Sequence, residues 1–155
     1  MEFSVLGKLE AWRDGERLAL GPIKQRSLLA LLVIHANQAV PTDQIIDELW
    51  AEEPARDRHN ALWVQVSKLR SALEPGRIPR SDGTVLTTRC PGYVLQVEPD
   101  HVDAYRFELL VEEARAWAPS YPALSSVLLT DGLALWRGRA YEEFAYESFA
   151  QAEIG

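Results

Sequence analysis

A chain of 155 residues, 47% hydrophobic and 25% charged, has the make-up of a soluble globular protein of one domain or two small ones. Its net charge of −7 excludes a uniformly basic nucleic-acid coat, and its single cysteine, Cys90, excludes an intrachain disulfide, which fits a reducing compartment. The start Met1-Glu2-Phe3-Ser4-Val5 is no secretory leader, and the longest apolar run, Leu28 to Ile34, is too short to span a bilayer, so a cytoplasmic protein without a membrane partner is expected.

Residues 2–20 read as three short strands. Phe3 and Val5, Leu9 and Ala11, Leu18 and Leu20 alternate with other residues, with Gly7-Lys8 and the hairpin pair Asp14-Gly15 between them. Gly21-Pro22 closes this antiparallel meander. Residues 24–37 read as a helix that is apolar on more than one face through Leu28, Leu29, Leu31, Leu32 and Ile34, hence mostly buried. Its first turn, Lys24-Gln25-Arg26, is expected to be exposed. Cations there oppose the helix dipole, and a phosphate would offset the conflict, which makes Lys24 and Arg26 candidate phosphate contacts. Val40-Pro41 breaks the chain; Thr42 is an N-cap candidate for a helix to Trp50 with Ile45, Ile46 and Leu49 inward. Glu52-Glu53-Pro54 ends that helix and Asp57 is the cap candidate for the next.

The stretch from Asp57 to Glu74 carries the functional argument. Leu62, Val66, Leu69 and Leu73 recur on one helical face. Asn60, Ala61, Val64, Gln65, Lys68 and Ser71 fall elsewhere, where an ordinary surface helix would carry Glu/Lys pairs. Small and amide side chains with one lysine suit a helix pushed into a groove; the same residues also suit a solvated surface helix, and on this helix alone the two readings are even. Charge patterning tips the balance. Residues 1–98 are net −1 and residues 99–155 net −6, but residues 56–89 hold seven basic side chains (Arg56, Arg58, Lys68, Arg70, Arg77, Arg80, Arg89) against three acidic (Asp57, Glu74, Asp82). A local basic stripe is the footprint of a nucleic-acid surface.

The residues after this helix point the same way. Pro75-Gly76 stops it, Thr84 to Thr88 reads as a strand, Arg89-Cys90-Pro91-Gly92 as a type II turn, and Tyr93 to Val97 as the return strand. Helix, short helix, loop, longer helix and hairpin is the order of a winged helix-turn-helix, with Arg89 at the tip of the wing. Lys68 is then the first candidate for a base contact, since lysine donates to guanine O6 and N7; Asn60 could pair with adenine or bond its own first turn. Trp50 could be core or offer its indole N–H to a phosphate, and Trp63 is expected to pack at a domain or sheet interface.

Beyond residue 98, residues 102–118 form an amphipathic helix with Phe107, Leu110, Val111, Ala114 and Trp117 on one face and Asp103 as its cap candidate. Pro119 and Pro122 bracket a turn, and residues 123–136 make a second helix whose Gly132 suggests a close helix crossing. A third helix begins near Ser148, and its end is expected to fray. The acidic run Glu142, Glu143, Glu147 reads as a solvated face, with a polymerase contact as the alternative. His35, His59, His101 and Cys90 match no metal-ligand spacing, and neither a nucleophile constellation nor a phosphate loop stands in the sequence, so no cofactor, metal or enzymatic activity is expected.

Taken in order, several runs resemble the Streptomyces antibiotic regulatory protein type of bacterial transcriptional activator. They are Phe3-Ser4-Val5-Leu6-Gly7, Lys24 to Leu32, Ile46-Asp47-Glu48-Leu49-Trp50, Asn60 to Arg70, Arg89 to Leu95, Ala134-Leu135-Trp136-Arg137-Gly138 and Phe149 to Glu153. The resemblance implies an α+β winged helix of the OmpR/PhoB type over residues 1–98, with an N-terminal antiparallel sheet of four strands. It implies that residues 99–155 start an all-α, tetratricopeptide-like bacterial transcriptional activation domain, here incomplete. It implies that Asn60, Ala61, Val64 and Lys68 face bases, that Trp50, Gln65 and Arg70 lie near phosphates, and that Arg89 reaches from the wing. Arg58, flanking the reader helix, joins the phosphate candidates. The expected partners are double-stranded promoter DNA, bound as a dimer on direct repeats, and RNA polymerase. The alternatives are a helical protein-interaction module and a DNA-binding repressor. Ser67 and Ser71 thin the charge of the reader helix relative to the family pattern, and Cys90 stands before Pro91 where relatives often carry Pro or Gly. With the winged helix starting at the first residue, no receiver domain is expected before it.

Overall fold

The computed structural model describes residues 1–52, 54–78 and 81–154, with Ala55 described by its backbone alone. Glu53 of the expected helix breaker and Arg80 of the basic stripe lie outside the described residues. The N-terminal meander is three-stranded: β1 (Glu2–Ser4), β2 (Glu10–Arg13) and β3 (Glu16–Arg17), all antiparallel in the order β1-β2-β3. Asp14 and Gly15 both take positive φ, as a two-residue hairpin turn requires. The third strand sits earlier than Leu18 and Leu20 suggested. Leu18 adds one backbone bond to Ala11 O, and the described residues show no fourth strand in this sheet.

Helix α1 (Ile23–Ile34) lies beneath, with Leu28, Leu29, Leu31 and Leu32 fully buried. Gln25 is buried, contrary to its expected exposure, because its amide folds back against Gly21, whose φ of +76° brings the chain close there. Val40-Pro41, read as a simple break, is a short strand, β4, paired with the wing; two residues give too little alternation to announce a strand. Helix α2 (Thr42–Trp50) and helix α3 (Ala55–Leu73) follow. Neither expected cap caps. Thr42 is the first residue of α2 and its hydroxyl donates to Pro91 O at 3.2 Å; Asp57 lies inside the first turn of α3, after Pro54. Proline just before a helix presets its entry, which displaced both caps by one or more residues.

Strands β5 (Leu86–Arg89) and β6 (Gly92–Leu95) form the wing, in a sheet ordered β4-β6-β5. Its tip was expected to be a type II turn; the Cys90–Pro91 peptide is instead cis. Leu62, Val66, Leu69 and Leu73 of α3 all face the core as expected, packed with α1, Ile45 and Leu49 of α2, and Leu86 and Leu95 of the wing.

The helical segment comprises α4 (Asp103–Trp117), α5 (Pro122–Ala134) and α6 (Ser148–Ile154). Helices α4 and α5 pack on one another at Gly132, where an added Cβ would lie 3.3 Å from the Phe107 ring; the glycine admits that crossing. Only Ala114 of the expected α4 face is fully buried, while Trp117 is exposed, as are Leu124, Val127, Leu129, Leu133 and Trp136 of α5 or just beyond it. Helix α6 reaches the core at its start, where Phe149 and Ala150 join the cluster with α1, while Gln151 to Glu153 are exposed.

This segment is stitched to the N-terminal sheet. Tyr141 N–H donates to Val5 O at 2.7 Å and Arg137 N–H to Leu6 O at 2.8 Å. Asp103, expected to cap α4, instead accepts the N–H groups of Val5 (2.7 Å) and Leu6 (3.1 Å). Glu143, expected on a solvated face, is half-buried: it accepts Leu9 N–H and pairs with Arg26.

Candidate nucleic-acid interface

The outward face belongs to α3, nineteen residues long. The core face defined by Leu62, Val66, Leu69 and Leu73 turns Asn60, Val64 and Lys68, spaced four apart, toward solvent on one stripe. Asn60 and Lys68 are exposed; Ala61, Val64 and Gln65 are partly covered, and Gln65 Oε1 is buried without a protein partner. Apart from Lys68 the stripe carries no side chain larger than Asn60 or Val64, so a groove wall could approach the helix closely.

The flanks differ from expectation. Trp63, expected at an interface, is 63% exposed: it follows core-facing Leu62 by one position, a turn of about 100° around the helix. Trp50 is core, 4% exposed, and the Lys24 ammonium lies 5.6 Å above its ring. Lys24 also donates to Leu49 O, so the cation at the start of α1 serves the carbonyl end of α2, where the helix dipole favours it. Arg26, expected to be open to a phosphate, lies beneath the helical segment on Glu143 and Leu9 O. Arg58 sits at the start of α3 and donates to Ala51 O. Arg89 is exposed at the wing tip beside exposed Cys90.

Arg70, expected near a phosphate, is turned inward. Its Nε donates to Leu86 O at 2.8 Å, its Nη2 to Thr88 Oγ1 at 2.8 Å and to Asp82 Oδ1 at 2.9 Å, and its guanidinium lies 5.9 Å from the Tyr93 ring centre. One turn later Glu74, buried, accepts the N–H groups of Thr84 and Val85 and the Thr84 hydroxyl. These two residues were not singled out as a pair, and their i, i+4 spacing is the one sequence signal that would have suggested a shared face. An open groove of about 620 Å³ runs along this side, lined by Trp63, Ser67, Arg70, Ser71 and Arg77.

Burial alone would raise the Glu74 carboxyl, but the bonds from Thr84 and Val85 and the nearby Arg13 guanidinium win and hold it below its ordinary value near 4.5. A depressed carboxylate stabilises the fold at neutral pH, and that contribution is lost as pH falls from the ordinary value through the lower folded one. Glu74→Gln is therefore expected to remove part of the acid-side loss of stability. Thermal unfolding of both proteins between about pH 6 and pH 3 checks this, and parallel curves would contradict it.

The architecture is that of a winged helix with a helical segment fastened to its N-terminal sheet. Residues 15–95 match the family of the transcriptional regulatory protein C-terminal domain, and residues 102–155 match the bacterial transcriptional activator domain. The chain belongs to this family of regulators, in the two-part arrangement of the Streptomyces antibiotic regulatory proteins. It is similar to the transcriptional regulator RedD of Streptomyces coelicolor, 34% identical over 142 residues, covering 90% of this chain and 40% of that one. It is also similar to the regulatory protein DnrI of Streptomyces peucetius, 32% identical, covering 90% of this chain and 53% of the relative. Among solved structures, that of Mycobacterium tuberculosis EmbR in complex with a low affinity phosphopeptide superposes with a TM-score of 0.86 at 32% identity, over 97% of this chain and 40% of that one. The chain thus spans about half or less of the length of these relatives. Among the described residues no helix is long and apolar enough to cross a membrane.

Proposed function

We infer that the protein is a sequence-specific DNA-binding regulator of transcription, acting as an activator. The observation that carries this is the outward stripe of α3, free of bulk and holding Asn60, Ala61, Val64 and Lys68, in a winged helix whose wing tip offers an exposed Arg89. In this reading α3 enters the major groove, the stripe meets base edges, and Arg58 and Arg89 meet backbone phosphates or the minor groove. Residues 1–98 are the DNA-binding unit. Residues 99–155 begin a tetratricopeptide-like activation domain, with RNA polymerase as partner and dimers on direct repeats of the promoter. The relatives named as a transcriptional regulator and a regulatory protein support this assignment. The exposed apolar side chains of α5 favour a protein contact by the helical segment as a second activity of the same molecule.

Selection of bound duplexes from a random pool at two salt concentrations tests the reading, and enrichment of one motif at both is expected. On that motif Lys68→Ala should cost about 1–3 kcal/mol and relax preference at one base position. Arg89→Ala should weaken binding to all sequences alike and flatten the salt slope by about 0.9. A pool that enriches nothing would sink the DNA-binding reading and leave the helical segment as the working part.

A further inference from the structure

We propose that Arg70 and Glu74 are positioning residues that set the wing at a fixed reach from the reader helix, and that Arg70 is not itself a DNA contact. This rests on the reading of α3 and the wing as the DNA-binding surface. Arg70, in the last turn of α3, and Glu74, the residue that ends the helix, hold the wing along its length. Glu74 takes the entry of the hairpin at Thr84 and Val85. Arg70 takes β5 at Leu86 and Thr88, the loop before it at Asp82, and β6 through the Tyr93 ring. The last of these holds on β5, Thr88, is the neighbour of Arg89. Asp82 is fixed in turn by the Thr88 hydroxyl at 2.9 Å.

Two short strands paired with a two-residue third have little independent stability, so their direction depends on what they are fastened to. The fastening is close: a Cβ at Gly83 would lie 2.3 Å from Glu74 Oε2 and 2.9 Å from Leu86 O. Arg70 keeps only 12% of its side chain exposed, and its guanidinium is engaged with a carbonyl, a hydroxyl and a carboxylate on the wing. A phosphate bound through Nε or Nη2 would have to displace those partners.

The charges give the test its discriminating power. If Arg70 bound a phosphate, its loss and that of Arg89 would add. Removing the negative charge of Glu74 would, by electrostatics alone, tighten binding to DNA. Positioning predicts the reverse of both. Using the duplex enriched by the wild-type protein, binding would be titrated from about 50 to 200 mM salt for Arg70→Ala, Glu74→Gln, Arg89→Ala and the pairs with Arg89→Ala. Each single change is expected to weaken binding severalfold and flatten the slope by about 0.9, and adding Arg89→Ala to either of the others should change nothing further. A slope loss near 1.8 in Arg70→Ala/Arg89→Ala would make Arg70 an independent phosphate contact and overturn its positioning role. Glu74→Gln binding as tightly as wild type, with the Arg89→Ala penalty intact, would overturn the role of Glu74. Should Arg70→Ala fail to fold, the isosteric Glu74→Gln still decides. If the wild-type protein enriches no duplex, the function and this inference fall together, whereas a failure confined to the double variants leaves the DNA-binding reading standing.

Discussion

Gly92→Ala is expected to dislodge the wing. A Cβ at position 92 would lie 1.8 Å from Val40 O and 2.8 Å from its carbonyl carbon. Both are backbone, so no rotamer change relieves the clash; β4 and β6 must separate, and the Val40–Tyr93 and Pro41–Gly92 pairings go with them. Overpacking of this kind costs about 1–3 kcal/mol, and more where only main chain can yield. For a chain of this size each kcal/mol lowers the unfolding temperature by about 2–4 °C. Because Thr42 N–H and its hydroxyl also meet Pro91 O, the start of α2 loosens too. DNA affinity should then fall at least as far as in Arg89→Ala, since the whole hairpin moves. Thermal unfolding and duplex titration read the two effects. An unchanged unfolding temperature would show that β4 and β6 separate at little cost.

Asp103→Ala is expected to loosen the helical segment from the winged helix. The carboxylate accepts two backbone N–H groups, those of Val5 and Leu6, which are buried residues at the end of the first strand. Removing it leaves both donors without an acceptor, at about 1–3 kcal/mol each, so a loss on the order of 2–6 kcal/mol is expected. Amide exchange at Val5 and Leu6 should accelerate more than the global loss of stability explains. Exchange that rises uniformly across the chain would argue that Asp103 is an ordinary core contact. The pH behaviour distinguishes Asp103 from Glu74. Burial raises the Asp103 carboxyl, outweighing the bonds from Val5 and Leu6 and the charge of Arg137. The folded state therefore favours its protonated form, and this linkage lowers stability as pH rises from the ordinary value through the raised one, the opposite sense to Glu74.

The helical segment is also fastened to the two helices that pack on α3. Arg26 and Glu143 join α1 to the helical segment, and the Ser148 hydroxyl donates to Glu48 of α2 at 2.7 Å. The two helices that support α3 from behind are thus each fastened to residues beyond 140.

Periodicity and turn chemistry by themselves determined the winged-helix order of elements, the core face of α3, the Asp14-Gly15 hairpin and the helix crossing at Gly132, because each depends on residues close in sequence whose side chains obey one local period. The same patterns placed Asn60, Val64 and Lys68 together on one outward stripe. Tertiary structure alone decided which charges are available. Arg26, Arg70, Glu143 and Asp103 look like surface charge in sequence, yet each meets a partner 12 or more residues away, or a main-chain group that no composition reveals. It also turned Trp63 outward, against expectation, and set Trp50 in the core. A tryptophan or an arginine is long and amphipathic enough to satisfy either environment, so its place depends on what the fold brings against it. Of the basic stripe, Lys68 and Arg89 stand exposed and Arg58 donates to Ala51 O, whereas Arg70 is bonded to the wing.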